Sequence, residues 1–109
     1  MGYKTRQEGD VTVVTVEDSR LDAGIAGEFR DFVINLIDDG NMDFVIDISG
    51  VSFMDSSGLG AIVAVPKQIG SNGSIRLAGP QKAVSDLFDL TCMDRIFKIH
   101  ATVDEALNA

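Results

Sequence analysis

Phe44-Val45-Ile46-Asp47-Ile48, followed by Ser49-Gly50-Val51-Ser52-Phe53-Met54-Asp55-Ser56-Ser57-Gly58-Leu59-Gly60, is the stretch that decides the fold. Its first five residues are short and almost continuously apolar. Such a run suits a central strand covered on both faces, as in a parallel sheet. From Ser57 to Gln68 the chain reads as a helix, apolar almost all round through Leu59, Ile62, Val63 and Val65, with Ile69 just beyond. A helix of that kind must be packed tightly on several sides. Pro66 inside it removes an amide donor and crowds the previous turn, so the helix either kinks there or ends early.

Working outward, Tyr3 to Gln7 and Val11 to Glu17 flank Glu8-Gly9-Asp10 and read as a hairpin. The second arm is almost entirely β-branched, which favours strand. Ala23 to Asp39 carries Ile25, Phe29, Val33, Leu36 and Ile37 at the three-to-four spacing of one apolar helical stripe. Asp22 is its expected N-cap and Gly40-Asn41 its stop. Ser71-Asn72-Gly73 turns into a strand over Ser74 to Ala78, and Gly79-Pro80 opens a third helix running to about Leu90. Ile96 to Ile99 reads as an edge strand and Val103 to Leu107 as a short closing helix. Strands alternating with helices after an initial hairpin predict an α/β layer fold with a mixed sheet.

The 109 residues fit a single domain over 1–109, with no repeat, linker or low-complexity stretch. A formal net charge of -8 argues against direct nucleic-acid binding, which needs clustered Lys and Arg. The lone Cys92 excludes an internal disulfide and a multi-cysteine metal site, and it reads as a buried small hydrophobe. His100, the only histidine, has no metal-ligand spacing around it and is expected on the surface. No apolar run approaches the roughly 20 residues needed to span a bilayer. No secretory core or myristoylation signal stands at the N-terminus, so a cytoplasmic setting without membrane contact is expected. Neither a Gly-x-Ser-x-Gly elbow nor a Gly-x-x-x-x-Gly-Lys loop is present; the chain is not expected to be an enzyme or to hold a cofactor or metal.

The chemistry then concentrates at Asp55-Ser56-Ser57-Gly58, between the central strand and the apolar helix. Open α/β sheets place functional groups beyond the carboxyl ends of their strands. A serine there stands near the free amides and positive end of a helix. Gly58 and Gly60 are expected to keep the surface low enough for a partner to approach Ser56. On local physics alone, a Ser-Ser-Gly before an apolar helix is most often an N-cap, with Ser57 capping and Ser56 outward, or the reverse. Asp47 either orients the serine loop or accepts backbone hydrogen bonds, and Asp22 is either a cap or a partner contact.

The run Asp47 to Gly60 resembles the signature of bacterial anti-sigma factor antagonists, the STAS domain family. Arg20-Leu21-Asp22, Asp94-Arg95-Ile96-Phe97 and Thr102 to Leu107 resemble further family segments, so the similarity covers nearly the whole chain. The resemblance implies a single domain with a four- to five-stranded mixed sheet and helices mainly on one face. It implies that Ser56 is the phosphoacceptor, and that Asp22, Asp55, Ser56, Ser57, Gly58 and Leu59 meet the partner. The implied partners are an anti-sigma factor serine kinase, which holds the ATP, and a PP2C-type serine phosphatase. Unphosphorylated antagonist would bind the kinase and release a sigma factor, as a monomer or weak dimer. The rival reading is a STAS-type scaffold subunit of a signalling assembly or transport system, with Ser56 only a cap. Three departures stand out: Ser19 for a frequent glycine, Thr91-Cys92-Met93 for a small-glycine-leucine turn, and Pro66 in the second helix.

Overall fold

The computed structural model describes residues 2–109. Strands β1 (Tyr3–Glu8) and β2 (Val11–Val16) form the expected antiparallel hairpin, turning at Gly9 with φ 65°. β2 pairs in parallel with β4 (Asp43–Asp47), β4 with β6 (Ser74–Ala78), and β6 with β7 (Lys98–His100). The five-stranded sheet therefore runs β1-β2-β4-β6-β7, mixed only at its first pair. Phe44, Val45 and Ile46 of β4 are each 0% exposed, the two-sided burial that the continuous apolar run requires. Among the described residues four α-helices accompany the sheet: α1 (Ala26–Asp38), α2 (Ser56–Ile69), α3 (Lys82–Leu90) and α4 (Val103–Leu107).

One face of the sheet, through Val14, Phe44, Ile46 and Leu77, shares its core with Phe29 and Val33 of α1, Ile62 and Val65 of α2, and Val84 and Phe88 of α3. The other face, through Val13, Val45 and Ala78, packs with Ala106 of α4 and the half-buried Val11, Val103 and Leu107. Helices thus lie mainly on one face, because alternate β2 residues on both faces are apolar but only one face receives long helices.

Several local expectations move. α1 begins at Ala26 with Ile25 as its cap residue, so Asp22 does not cap it. The Asp22 carbonyl instead accepts from Ile25 and Ala26, and its side chain accepts from Gly24, holding a turn ahead of the helix. α3 starts at Lys82, after Pro80, because Gly79 turns the chain at φ 73° while donating to His100, and Gln81 is still extended (φ -68°, ψ 163°) as the cap residue. α2 neither ends nor breaks at Pro66 but continues to Ile69. Burial of Val65 and Ile69 on either side of the proline holds the helix together against its local penalty. A 3-10 turn at Met93–Arg95 takes the amides of Ile96 and Phe97, so the edge strand begins only at Lys98.

Two single residues depart further. His100 is half-buried rather than on the surface; it pairs opposite Ala78, and its Nε2 is buried without a hydrogen-bond partner. Cys92 is exposed, not buried, and it holds the left-handed conformation at φ 58° directly after α3. That place after a helix is where glycine normally stands, because a Cβ is disfavoured there by roughly 1–2 kcal/mol. Since glycine also loosens the unfolded chain, Cys92→Gly is expected to stabilise the protein by about 0.5–1 kcal/mol. Urea unfolding of the two proteins measures this, and a less stable glycine variant would contradict the reading.

Candidate functional site

After β2 and β4 the chain makes a second, two-stranded parallel sheet, β3 (Arg20–Leu21) with β5 (Phe53–Met54). The Ser19 carbonyl accepts from the amides of Ser52 and Phe53 and from the Ser52 hydroxyl, at 2.7, 3.2 and 3.1 Å. These bonds stitch together two loops that are far apart in the chain. They bring the Asp22 turn beside the N-terminus of α2 at the carboxyl end of the main sheet.

Asp55 completes the junction and is the N-cap of α2. Its Oδ1 accepts from the Gly58 amide at 3.0 Å and its Oδ2 from the Ala23 amide at 3.2 Å. One carboxylate therefore caps the helix and anchors the loop ahead of α1. This corrects the expectation that Ser56 or Ser57 caps: an extended residue one step earlier reaches the third helical amide, which is standard cap geometry. Ser56 and Ser57 instead occupy the first helical turn, both exposed, with no side-chain hydrogen-bond partner among the described residues. Exposure alone does not choose between the two hydroxyls.

Gly58 does not lower the outer surface; it is buried and faces inward. A Cβ there would lie 2.1 Å from the Leu21 carbonyl oxygen and 2.9 Å from Met54 Cγ. Its absence lets α2 rest directly on β3. Leu59, also expected at the partner face, is buried in the main core. Gly60 is exposed, and a Cβ there would meet nothing within 4 Å, so it does keep the surface open. Asp47 accepts from the Ser49 amide at 3.0 Å, the backbone-acceptor role.

Asp22 is drawn into a charged pair. Its Oδ2 accepts from Arg20 Nε at 3.1 Å and its Oδ1 from the Gly24 amide at 3.0 Å. The Arg20 hydrogen bond, then the Gly24 amide, hold the Asp22 carboxyl below its ordinary value of 3.8. A depressed carboxyl favours folding above the unfolded value, and that contribution fades as pH falls through the folded value. A carbon-detected NMR titration should show Asp22 titrating below 3.8, with Arg20→Gln moving it upward. Titration at or above 3.8 in the unaltered protein would contradict the pairing.

Sequence reasoning missed two neighbours. Phe53 is 43% exposed, and the Arg20 guanidinium lies 4.7 Å from its ring centroid. Phe53 and Arg20 are register partners across β3 and β5, and no local pattern reveals a register between two-residue strands. Beside them a depression of about 170 Å³ is lined by Asp18, Ser19, Arg20, Asp22 and Ile25. The shelf thus offers an exposed aromatic ring, one guanidinium, several carboxylates and two free hydroxyls. Among the described residues no group of three or more His, Cys, Asp or Glu is placed to hold a metal ion. No helix there is long and apolar enough to cross a membrane.

The family model for the STAS domain matches residues 3–106. A candidate anti-sigma factor antagonist of Thermotoga maritima is 32% identical over 100 residues, covering 90% of this chain and 88% of its own. The crystal structure of an anti-sigma factor antagonist from Mycobacterium paratuberculosis superposes with a TM-score of 0.90 at 25% identity, over 98% of this chain and 91% of that one. The anti-sigma factor antagonist SpoIIAA, solved in unphosphorylated and phosphorylated forms, shares the fold with TM-scores of 0.72 and 0.74 at 20% identity, covering 98% of this chain and 96% and 97% of those chains. The chain belongs to the STAS domain family, and its homologues there are anti-sigma factor antagonists.

Proposed function

We propose that this chain is a phosphorylation-controlled partner switch acting through Ser56. The observation that carries the reading is the division of labour at the start of α2. Asp55 does the capping, which leaves the Ser56 and Ser57 hydroxyls exposed on the first turn without a structural duty, and the resemblance to the family signature favours the first of them, Ser56. An anti-sigma factor serine kinase would be both the partner and the source of the phosphoryl group. The Ser56 oxygen attacks the γ-phosphorus of ATP held by that kinase, ADP leaves, and the hydroxyl proton passes to a base of the kinase. A PP2C-type phosphatase would reverse the change by hydrolysis, releasing inorganic phosphate.

Phosphate adds about -1.5 to -2 charges near neutral pH. The positive end of α2 accommodates such an anion, so the fold need not open. A partner packed over the shelf instead meets a bulky anion directly after Asp55, and is expelled by volume and repulsion. Release of the kinase from its sigma factor would follow from capture by the unphosphorylated form. Asp22, Asp55, Ser56 and Ser57 offer the polar contacts, with Phe53 as an apolar anchor and Arg20 beside it. Gly58 and Leu59 would act from below, shaping the helix end rather than touching the partner.

The test is phosphorylation by a cognate anti-sigma kinase with ATP, followed by peptide mass analysis. Phosphate is expected on Ser56, abolished by Ser56→Ala and retained in Ser57→Ala. Phosphate carried by Ser57, or a chain that stays unmodified and runs as a large assembly by itself, would overturn the switch and favour the scaffold reading.

A further inference from the structure

The end of α2 remote from Ser56 borders a second feature, unrelated to the shelf. β6 begins at Ser74, but β7 pairs with it only from Arg76 to Ala78, so the sheet is one strand narrower beside Ser74 and Ile75. A cavity of about 470 Å³ opens in the gap. The Ser74 amide donates to the Met42 carbonyl, on the β4 side. Successive amides of a strand point to opposite edges, so the Ile75 amide faces the gap, where β7 has no residue to meet it. An open strand edge of this kind is a template for pairing with another chain.

The two sides of the gap differ in character. Pro66 and Ile69 of α2 and Ile75 of β6 line it on the face that holds the main core, and Ile96, 55% exposed, lines it as well. Arg76 and Lys98 line it from the opposite face: Arg76 donates to the Ala106 carbonyl of α4, and Lys98 is its register partner. Of the nine Lys and Arg residues, Lys4, Arg6, Arg20, Arg30 and Lys82 each pair with a carboxylate. The other four are Lys67, Arg76, Arg95 and Lys98, and all stand at the gap, two in its lining and two next in the chain to Pro66 and Ile96. No Asp or Glu lines it, in a chain of net charge -8. Among the described residues, every cation without a carboxylate partner is therefore gathered at one open strand edge.

We propose that the gap takes an extended segment of a partner protein, added as a strand beside β6, with apolar and acidic side chains in alternation. A strand sends successive side chains to opposite faces. The apolar ones then meet Pro66, Ile69 and Ile75, and the acidic ones meet Arg76 and Lys98, whose mutual repulsion they relieve. Backbone pairing that starts at the Ile75 amide supplies affinity, and the alternation supplies specificity. A second copy of this chain does not suit the gap, because its long exposed strand, β1, carries Lys4 and Arg6. An anionic membrane repels a chain of net charge -8 as a whole. α2 runs fourteen residues from Ser56 to Ile69, about 20 Å, so an occupant here leaves the shelf uncovered and is independent of the switch at Ser56.

The probe is the peptide acetyl-Val-Glu-Val-Glu-Val-Glu-amide, read by amide chemical shifts and hydrogen exchange of the full chain. Saturable shifts are expected at the amides of Ser74, Ile75, Ile96 and Lys98, and none at Ser56. At saturation the Ile75 amide should exchange at least about ten-fold more slowly. A peptide of the same composition in blocks, Val-Val-Val-Glu-Glu-Glu, and one with Lys for every Glu should each bind at least about ten-fold more weakly. Lys98→Glu, an exposed substitution that leaves the core untouched, should weaken the alternating peptide by about ten-fold or more. The proposal is overturned by absent or unsaturable shifts, by unchanged Ile75 exchange, by either control peptide binding as well, or by Lys98→Glu having no effect. The same shifts on concentrating the protein alone would assign the gap to a second copy, and the same shifts with phosphatidylserine vesicles would assign it to a membrane; either result overturns the proposal.

Discussion

Gly58→Ala is expected to destabilise the protein by about 3 kcal/mol, while Gly60→Ala, on the same helix, stabilises it by about 0.5–1 kcal/mol. Both glycines lie inside α2, so the intrinsic helix preference favours alanine equally at each. The sign is decided by what the new methyl meets. At Gly58 it would be driven to 2.1 Å from the Leu21 carbonyl oxygen, a backbone atom of β3 that cannot swing aside. Relief requires α2 to lift from β3, which strains the Asp55 bonds to Gly58 and Ala23 together. At Gly60 nothing lies within 4 Å. Urea unfolding of the two variants beside the unaltered protein measures both effects. A Gly58→Ala protein within about 1 kcal/mol of its parent would refute the close packing of α2 on β3.

The second large effect is functional and follows from the proposed switch. Ser56→Asp is expected to weaken the complex with the anti-sigma kinase by about 100-fold or more, while folding stability changes by less than about 0.5 kcal/mol. The two numbers have separate causes. A carboxylate on the first turn of a helix is electrostatically favourable to that helix, so α2 itself is not harmed. A partner seated on the shelf would have to bury the new charge close to Asp22 and Asp55, and like-charge contact across an interface costs several kcal/mol. Aspartate is smaller and less charged than phosphoserine, so the expected loss is a lower bound for the modified protein. Titration calorimetry with the kinase, beside a urea curve, separates the outcomes: undiminished binding removes the repulsion mechanism, and loss of binding with loss of stability assigns the effect to folding.

The fold was legible because the two decisive patterns are long and redundant. A run apolar at four of its five positions, Phe44 to Ile48, could only be covered on both faces, and the stripe from Ile25 to Ile37 could only be one side of a helix. Boundaries failed where one residue type has two local uses. Asp22 looks like a helix cap and in fact closes a turn three residues earlier, and Pro80 looks like a first helical residue and in fact precedes the extended cap residue Gln81. At the site the pattern Asp-Ser-Ser-Gly marked the right place, but three candidate oxygens compete for one capping amide and backbone geometry selects Asp55. The contributions of Phe53 and Arg20 depend on pairing between β3 and β5, which is a tertiary fact with no local signature. Cys92 looked like core by residue type, whereas the end of α3 places that position in the left-handed region and in solvent.

The stitching of β3 to β5 has a bearing on how the chain folds. The β1–β2 hairpin joins near neighbours and closes a short loop, so it can form early. Pairing Thr12 with Phe44, and then Arg20 with Phe53, closes much longer loops, whose entropy opposes folding until the whole crossover is in place. The shelf is therefore expected to be among the last parts of the molecule to assemble. An immature or partly unfolded copy would carry the same Ser56 in its chain, yet would lack the helix end and the Asp55–Ala23 tie that present it. Under the proposed switch, a partner that reads this surface would bind only chains that have completed their topology.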